Sequence, residues 1–397
     1  MRRRELLKNA GLAAIAAAAP KQVLAAAPAD AASLDAMLRP RLAQHNLPAL
    51  AAAALTEGKI VAAGAVGTRR AGSDIPVTLD DKFHIGSDTK AMTALLAGML
   101  VESGKLRWDT TVAEIYPELT GTMRDDVKTV RLDQLLSHTS GIPDNDALDK
   151  LLAQSFTQLD LNLDELRYWL VERALAQPLQ SPPGERFAYS NMGYTLAGGM
   201  IERIAGATWE ELVATRIFDP LGLNSAGFGP QSSLGRIDAP LGHRIRADGT
   251  LKPMLAGPNG DNPNILGPAG TAHLSILDFA RWAGWNAGQG RRGPRLVSAE
   301  TLRKLQTPVI DIPPRPDAKP GTPPPGRYGL GWGTAAVPFA PEPLVFHGGS
   351  NEMNLAYVML RPQTDFAMVM ATNISGPVAD EGLRALGAEL YQRFAPK

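Results

Sequence analysis

The run from Phe83 to Leu100 constrains this chain more than any other stretch. Phe83-His84-Ile85 is a short strand-like start, Gly86 turns the chain, and a long helix-forming segment follows to Leu100. Ser87 and Lys90 lie three residues apart where that helix would begin, so their side chains share one face. A serine at that place sees the positive end of the helix dipole, and a lysine one turn on reaches its hydroxyl. Ser87 is therefore a candidate nucleophile with an amine beside it. The same two residues also fit an N-cap serine followed by a solvated lysine, so the rest of the chain has to decide between the two.

On both sides of this run the chain alternates between strand and helix patterns. Residues 32–46 read as an amphipathic helix with Pro40 as a kink, and Leu47 to Gly67 as a β-hairpin turning at Thr56-Glu57-Gly58-Lys59. The middle is mainly helical, with helices expected at Leu161–Ala176, Thr195–Ala205 and Thr208–Ile217. Residues 226–268 read as surface loops, and Gly267 to Thr271 as a tight turn before a helix at Ser275–Asn286. Residues 307–327 are proline-dense, and Tyr328 to Gly333 reads as a strand. The alternating glycines there suggest nucleotide binding only superficially, because no helix start follows. Pro343–Phe346, Asn354–Leu360 and Phe366–Thr372 are β runs, and Val378–Phe394 is a closing amphipathic helix. The expected fold is α/β (α+β): an antiparallel sheet flanked by helices, built from both ends of the chain, with an all-helical insertion at about 105–265.

Residues 1–27 read as a signal peptide. Arg2-Arg3-Arg4 opens it, a short apolar run follows from Gly11 to Ala19, and small residues near Ala27 offer a cleavage site. The Arg3-Arg4 pair and the leucines after it resemble a twin-arginine export signal, so an exported, periplasmic protein is expected. The apolar run is far short of the ~20 residues that span a bilayer, and no later segment is long and apolar enough either. Arg2, Arg3, Arg4, Lys8 and Lys21 against Glu5 account for the formal charge of zero; without them 35 basic residues face 39 acidic ones. A mildly acidic chain is a poor nucleic-acid binder. It has no cysteine, which removes disulfides, thiolate metal sites and a cysteine nucleophile.

Two further motifs bear on Ser87. Tyr189-Ser190-Asn191 follows a rigid Ser181-Pro182-Pro183-Gly184 turn and leads into a helix, and His347-Gly348-Gly349-Ser350 ends a strand run. With Ser87-Asp88-Thr89-Lys90 these motifs, in this order, resemble the serine penicillin-recognising hydrolases on the class C β-lactamase branch. That branch also holds D-alanyl-D-alanine carboxypeptidases, D-aminopeptidases and β-lactamase-like carboxylesterases. The resemblance spans about residues 31–395 and takes in Leu135–Pro143 and Pro268–Thr271. It implies an acyl-enzyme on Ser87, with Lys90 and Tyr189 both in the proton path, and the N–H groups of Ser87 and Ser350 as the oxyanion hole. The chemistry leaves the base open. Lys90 serves if desolvated, and Tyr189 serves as a phenolate or relay if Lys90 lowers its pKa. Asn191 is expected on the substrate amide or on a lysine. His347, Gly348, Gly349 and Ser350 are expected to form the far wall of the substrate site, with the glycines letting substrate backbone approach.

Position 347 departs from the β-lactamases of this branch, which carry Lys-Thr-Gly there. A histidine, with a reference pKa of about 6.5, captures an anion more weakly near neutral pH. The expected activity is therefore hydrolysis of esters, D-amino-acid amides or peptidoglycan-like peptides. β-Lactam hydrolysis, or a penicillin-binding sensor without turnover, are the alternatives. His138, at a helix C-terminus, reads as structural. No Gly-x-Ser-x-Gly elbow is present, and the histidines at 45, 84, 138, 243, 273 and 347 lack metal-ligand spacing, so no cofactor or metal is expected. The expected partner is a small-molecule or peptide substrate. Its identity rests on loops 144–162, 226–268 and 307–327.

Overall fold

Residues 49–56, Ala-Leu-Ala-Ala-Ala-Ala-Leu-Thr, have a largely helical intrinsic preference. In the computed structural model, which describes residues 28–397 apart from 145, 258 and 317, they form a strand near the centre of a nine-stranded sheet. Tertiary position overrides propensity here, because both faces of this strand are covered and small side chains let helices pack close. The leader expected over residues 1–27 lies outside the described residues.

The sheet strands in chain order are β1 (Ala32–Ser33), β2 (Ala49–Thr56) and β3 (Lys59–Gly67), then, later in the chain, β9 (Ile310–Ile312), β10 (Gly326–Tyr328), β11 (Gly333–Ala335), β12 (Leu344–Ser350), β13 (Leu355–Arg361) and β14 (Phe366–Thr372). Their order across the sheet is β1-β3-β2-β14-β13-β12-β11-β10-β9. All neighbours are antiparallel except the short β1–β3 pair. Between these two groups run β4 (Lys82–His84), β5 (Gly227–Phe228) and β8 (Ala272–Ser275), which form a small sheet of their own, and the hairpin β6 (Gly242–Ile245) with β7 (Leu251–Met254).

Strand periodicity sorts the side chains into two cores. Ala51, Ala53, Val358 and Val369 face one core, shared with the helix Ile276–Ala287 and with the central helices, Lys90–Glu102 and Asn191–Ala205. Leu50, Ala52, Met359 and Met370 face the other, covered by Leu38 of the first helix and by Leu383, Leu386 and Leu390 of the closing helix, Pro377–Phe394. Each fully buried leucine stabilises the fold by about 1.5–3 kcal/mol. Both ends of the chain thus build the sheet and its outer cover. Most described elements between Lys105 and Leu266 are helices, with β5 and the β6–β7 hairpin among them.

Three local expectations change. Tyr328 to Gly333 is not one strand: β10 ends at Tyr328, Gly331 turns with φ +81°, and β11 starts at Gly333, because β10 pairs back on β11. Residues 226–268 are not all surface loop, since they contain the β6–β7 hairpin and a buried turn at Ile265 and Leu266. The turn at Gly267–Gly270 is a single buried helical turn. Among the described residues, no helix is long and apolar enough to cross a membrane.

Candidate active site

Ser87 sits in a 3-10 turn, Gly86–Thr89, at the mouth of the helix Lys90–Glu102. Gly86 has φ +52°, and a Cβ there would lie 2.3 Å from the backbone nitrogen of Ser350. Only glycine lets the nucleophile turn press against the end of β12. Gly349 answers from the other side: its Cβ would lie 1.8 Å from the Ile85 carbonyl oxygen and 2.5 Å from the Ser87 nitrogen. The backbone nitrogens of Ser87 and Ser350 thereby lie in segments pressed against each other.

Lys90 is fully buried. Its Nζ lies 3.0 Å from Ser87 Oγ, 2.8 Å from Asn191 Oδ1 and 2.7 Å from the Ala269 carbonyl oxygen. Burial pulls its pKa down to about 7, against the pull of Asp144 and Asp88 in the other direction. A neutral amine here donates its two hydrogens to Asn191 and Ala269, which leaves its lone pair for the Ser87 hydroxyl.

Tyr189 lies on the other side, its ring 4.9 Å from Lys90 Nζ. Its hydroxyl is buried without a hydrogen-bond partner of good geometry. Burial pushes its pKa up, and the nearby Ser87 hydroxyl offsets only part of this. His138 supports the ring from behind at 4.2 Å, and its Nδ1 accepts the Ser190 N–H at 3.1 Å. Burial holds His138 well below its usual pKa, so it is neutral. Ser190 caps the helix Asn191–Ala205 through the Gly193 N–H, which fixes Asn191 in the first turn.

Ser87, Tyr189, Asn191 and Ser350 line a cavity of about 810 Å³. Leu148, Leu152, Ile245 and Leu266 give it apolar wall, and Arg244 and Lys319 also line it. His347 is not on that wall. Its imidazole is fully buried, with Nδ1 donating to the Gly348 carbonyl (2.8 Å) and Nε2 accepting from the Tyr328 hydroxyl (2.9 Å). Burial lowers its pKa to about 3. Asp88, 3.4 Å away, is driven toward its neutral form by the same burial. The expectation that His347 meets substrate is therefore corrected: its strand face turns it toward the Ser87 turn. Gly348 and Gly349 change meaning too. A Cβ on Gly348 would meet Tyr357 at 2.5 Å, so both glycines serve internal packing and not the approach of substrate.

Two carboxylates escaped the sequence reading. Asp144 Oδ2 accepts the Asn191 backbone N–H (3.2 Å) and side-chain Nδ2 (2.9 Å), which turns Asn191 Oδ1 toward Lys90. Asp261 lies 2.9 Å from His84 and 2.8 Å from Asn351. Neither sits at a spacing that local periodicity could flag. Among the described residues, no group of His, Asp and Glu is arranged to hold a metal ion.

Comparison with known proteins places the fold in a family. The beta-lactamase family model matches residues 34–392. The chain belongs to the beta-lactamase family. That is a family of β-lactamase-fold serine hydrolases, which takes in penicillin-binding proteins. The chain is similar to penicillin-binding protein 4 of Amycolatopsis lactamdurans, with 27% identity over 359 residues, 89% of this chain and 87% of that one. Among solved structures it resembles the octameric penicillin-binding protein homologue from Pyrococcus abyssi (27% identity, TM-score 0.70, 89% of this chain and 76% of that one). It shares its fold with a D-stereospecific amidohydrolase from Streptomyces (22% identity, TM-score 0.64, 88% of this chain and 95% of that one).

Proposed function

We propose that this family member is an exported serine hydrolase that forms an acyl-enzyme on Ser87. The observation that carries the reading is the buried Lys90 amine, 3.0 Å from Ser87 Oγ and held near neutrality by burial. Lys90 takes the Ser87 proton as Oγ attacks the substrate carbonyl. The negative charge that develops on the carbonyl oxygen meets the N–H groups of Ser87 and Ser350. As the bond to the leaving group breaks, the proton passes from Lys90 to the departing oxygen or nitrogen, with protonated Tyr189 as the relay. Water then attacks the acyl-enzyme with the same groups in reverse, freeing the acid and Ser87. Lys90 is favoured over Tyr189 as the base because burial favours the neutral form of both, which is the basic form of the lysine but not of the tyrosine.

The substrates proposed are esters, D-amino-acid amides or peptidoglycan-like peptides, reached after export by the twin-arginine-like leader. β-Lactam hydrolysis is disfavoured because β12 presents no cation to a carboxylate. Labelling with a fluorophosphonate probe tests the core of the reading: wild type should carry one adduct on Ser87 and Ser87→Ala none. Equal labelling of the two would sink it. p-Nitrophenyl esters, D-alanine p-nitroanilide, D-Ala-D-Ala peptides and nitrocefin, assayed in parallel, rank the substrates. Stable labelling with no turnover of any of them would favour the sensor alternative.

A further inference from the structure

His84, Asp261 and Asn351 form a buried cluster that the proposed chemistry does not use. His84 lies three residues before Ser87, at the end of β4, and is fully buried. Its Nδ1 accepts the N–H of Gly86, the residue just before Ser87, at 3.0 Å. The other ring nitrogen, Nε2, therefore carries the hydrogen, and it lies 2.9 Å from Asp261 Oδ1, a close contact without good hydrogen-bond geometry. The same Oδ1 accepts a hydrogen bond from Asn351 Nδ2 at 2.8 Å. Asn351 directly follows Ser350 and is itself held by its Oδ1, which accepts from the Met353 N–H and from Asn354 Nδ2. Thus one carboxylate oxygen, from the loop between β7 and β8, touches both chain segments that carry the paired N–H groups.

A carboxylate buried at this depth is costly unless its neighbours hold it, and both neighbours here sit beside the nucleophile turn. Elsewhere the Ser87 turn and the end of β12 meet mainly through glycine contacts, which allow close approach but specify no distance. Besides the His347–Asp88 contact deeper in the same seam, Asp261 is a polar link across it at the Ser350 end. The loop continues the same way on its other side, where Asn262 Nδ2 donates to the Gly270 carbonyl beside the Lys90 acceptor Ala269.

We propose that Asp261 is a positioning residue that ties His84 to Asn351 and so fixes the spacing of the Ser87 and Ser350 N–H groups. It touches no substrate. Its effect is on the transition state, where two donors must both reach one oxyanion, and a misplacement of about 1 Å there costs about 10²-fold. This inference rests on the proposed acyl-transfer reading for its kinetic consequence but not for its structural one.

The test uses the full-length protein, its Asp261→Ala and Asp261→Asn variants, and two readouts. In Asp261→Asn the side-chain carbonyl oxygen still accepts from Asn351 and still lies against His84 Nε2, so this variant should keep kcat within about threefold of wild type. Asp261→Ala should lower kcat on a p-nitrophenyl ester by about 10- to 100-fold with KM changed less than twofold. Hydrogen exchange should quicken in both segments, 86–89 and 350–352, in the alanine variant and not in the asparagine variant. Unchanged exchange in Asp261→Ala overturns the proposal, whatever the protein turns over. So does a folded Asp261→Ala enzyme with wild-type kcat, or a loss that falls equally on the asparagine variant. Failure of wild type to label at Ser87 would instead remove the proposed function and leave exchange to decide the tether.

Discussion

The pH dependence of acylation tests the assignment of Lys90 most directly. A lysine of ordinary pKa, about 10.4, is neutral in roughly four molecules in ten thousand at pH 7. With its pKa lowered to about 7, Lys90 is neutral in about half of them. Burial therefore raises the population of competent base by about 10³, on the same scale as a typical general-base contribution of about 10²–10⁴. The expected profile of kcat/KM, or of fluorophosphonate labelling rate, rises with pH through a single limb centred near 7 and then levels. The sign follows from the base acting in its unprotonated form. His138 and His347 should not supply this limb, because burial holds His138 well below its usual value and His347 near 3.

Two variants separate Lys90 from its neighbours. Lys90→Arg keeps the charge and cannot release it in this range, so the limb should vanish and the plateau fall by at least about 10². Asp144→Asn keeps an acceptor for Asn191 but removes the carboxylate that most opposes the fall of the Lys90 pKa, so the midpoint should move down. A flat wild-type profile from pH 5 to 9, or a limb that survives in Lys90→Arg, refutes the assignment. A limb abolished rather than shifted by Asp144→Asn would belong to that carboxyl and refute it equally.

Two further substitutions have expected outcomes. His347→Lys puts an ammonium where a neutral imidazole is bonded to Tyr328 and Gly348, so urea unfolding should show a loss of about 3–5 kcal/mol and nitrocefin turnover should not rise relative to ester turnover; a stable variant with a raised ratio would mean that position 347 faces substrate. Gly349→Ala drives a methyl into the Ile85 carbonyl, so labelling of Ser87 should slow by about 10²-fold, and wild-type labelling of the folded variant would contradict the close contact.

What the sequence revealed about this site was what local chemistry marks. Ser87 and Lys90 stand one helical turn apart, Tyr189 to Asn191 stand just before a helix pattern, and the strands of the second half alternate cleanly enough to be found. The orientation of His347 was not legible. On a strand, neighbouring residues point to opposite faces, and which face meets the Ser87 turn depends on the register of β12 against β13, with His347 opposite Val358. The alanine strand β2 was legible only because Glu57-Gly58 turns it into a hairpin. Asp144 and Asp261 could not be found at all. Each acts through partners 47 to 90 residues away or more, as in the Asp144–Asn191 and Asp261–Asn351 bonds, and an isolated aspartate in a loop carries no periodic signal.

Burial acts in one direction on the titratable groups around Ser87, and this has a chemical consequence. It lowers the pKa values of Lys90, His138 and His347 and raises those of Asp88, Asp144 and Tyr189, so every one of them is pushed toward its neutral form. Of the values brought close to neutrality beside the nucleophile, that of Lys90 is the one that matters for proton transfer. Two backbone N–H donors in a site that resists charge suit a neutral carbonyl that becomes charged only during reaction, because the donors then gain most in the transition state. The inward-facing His347 leaves β12 with no cation to meet a ground-state carboxylate, and the cations that line the cavity are Arg244 and Lys319. With His347 turned inward, Arg244 and Lys319 are the cations left to meet an anionic acyl donor in this cavity, so a shift toward such donors should respond to changes at those two residues and not at position 347.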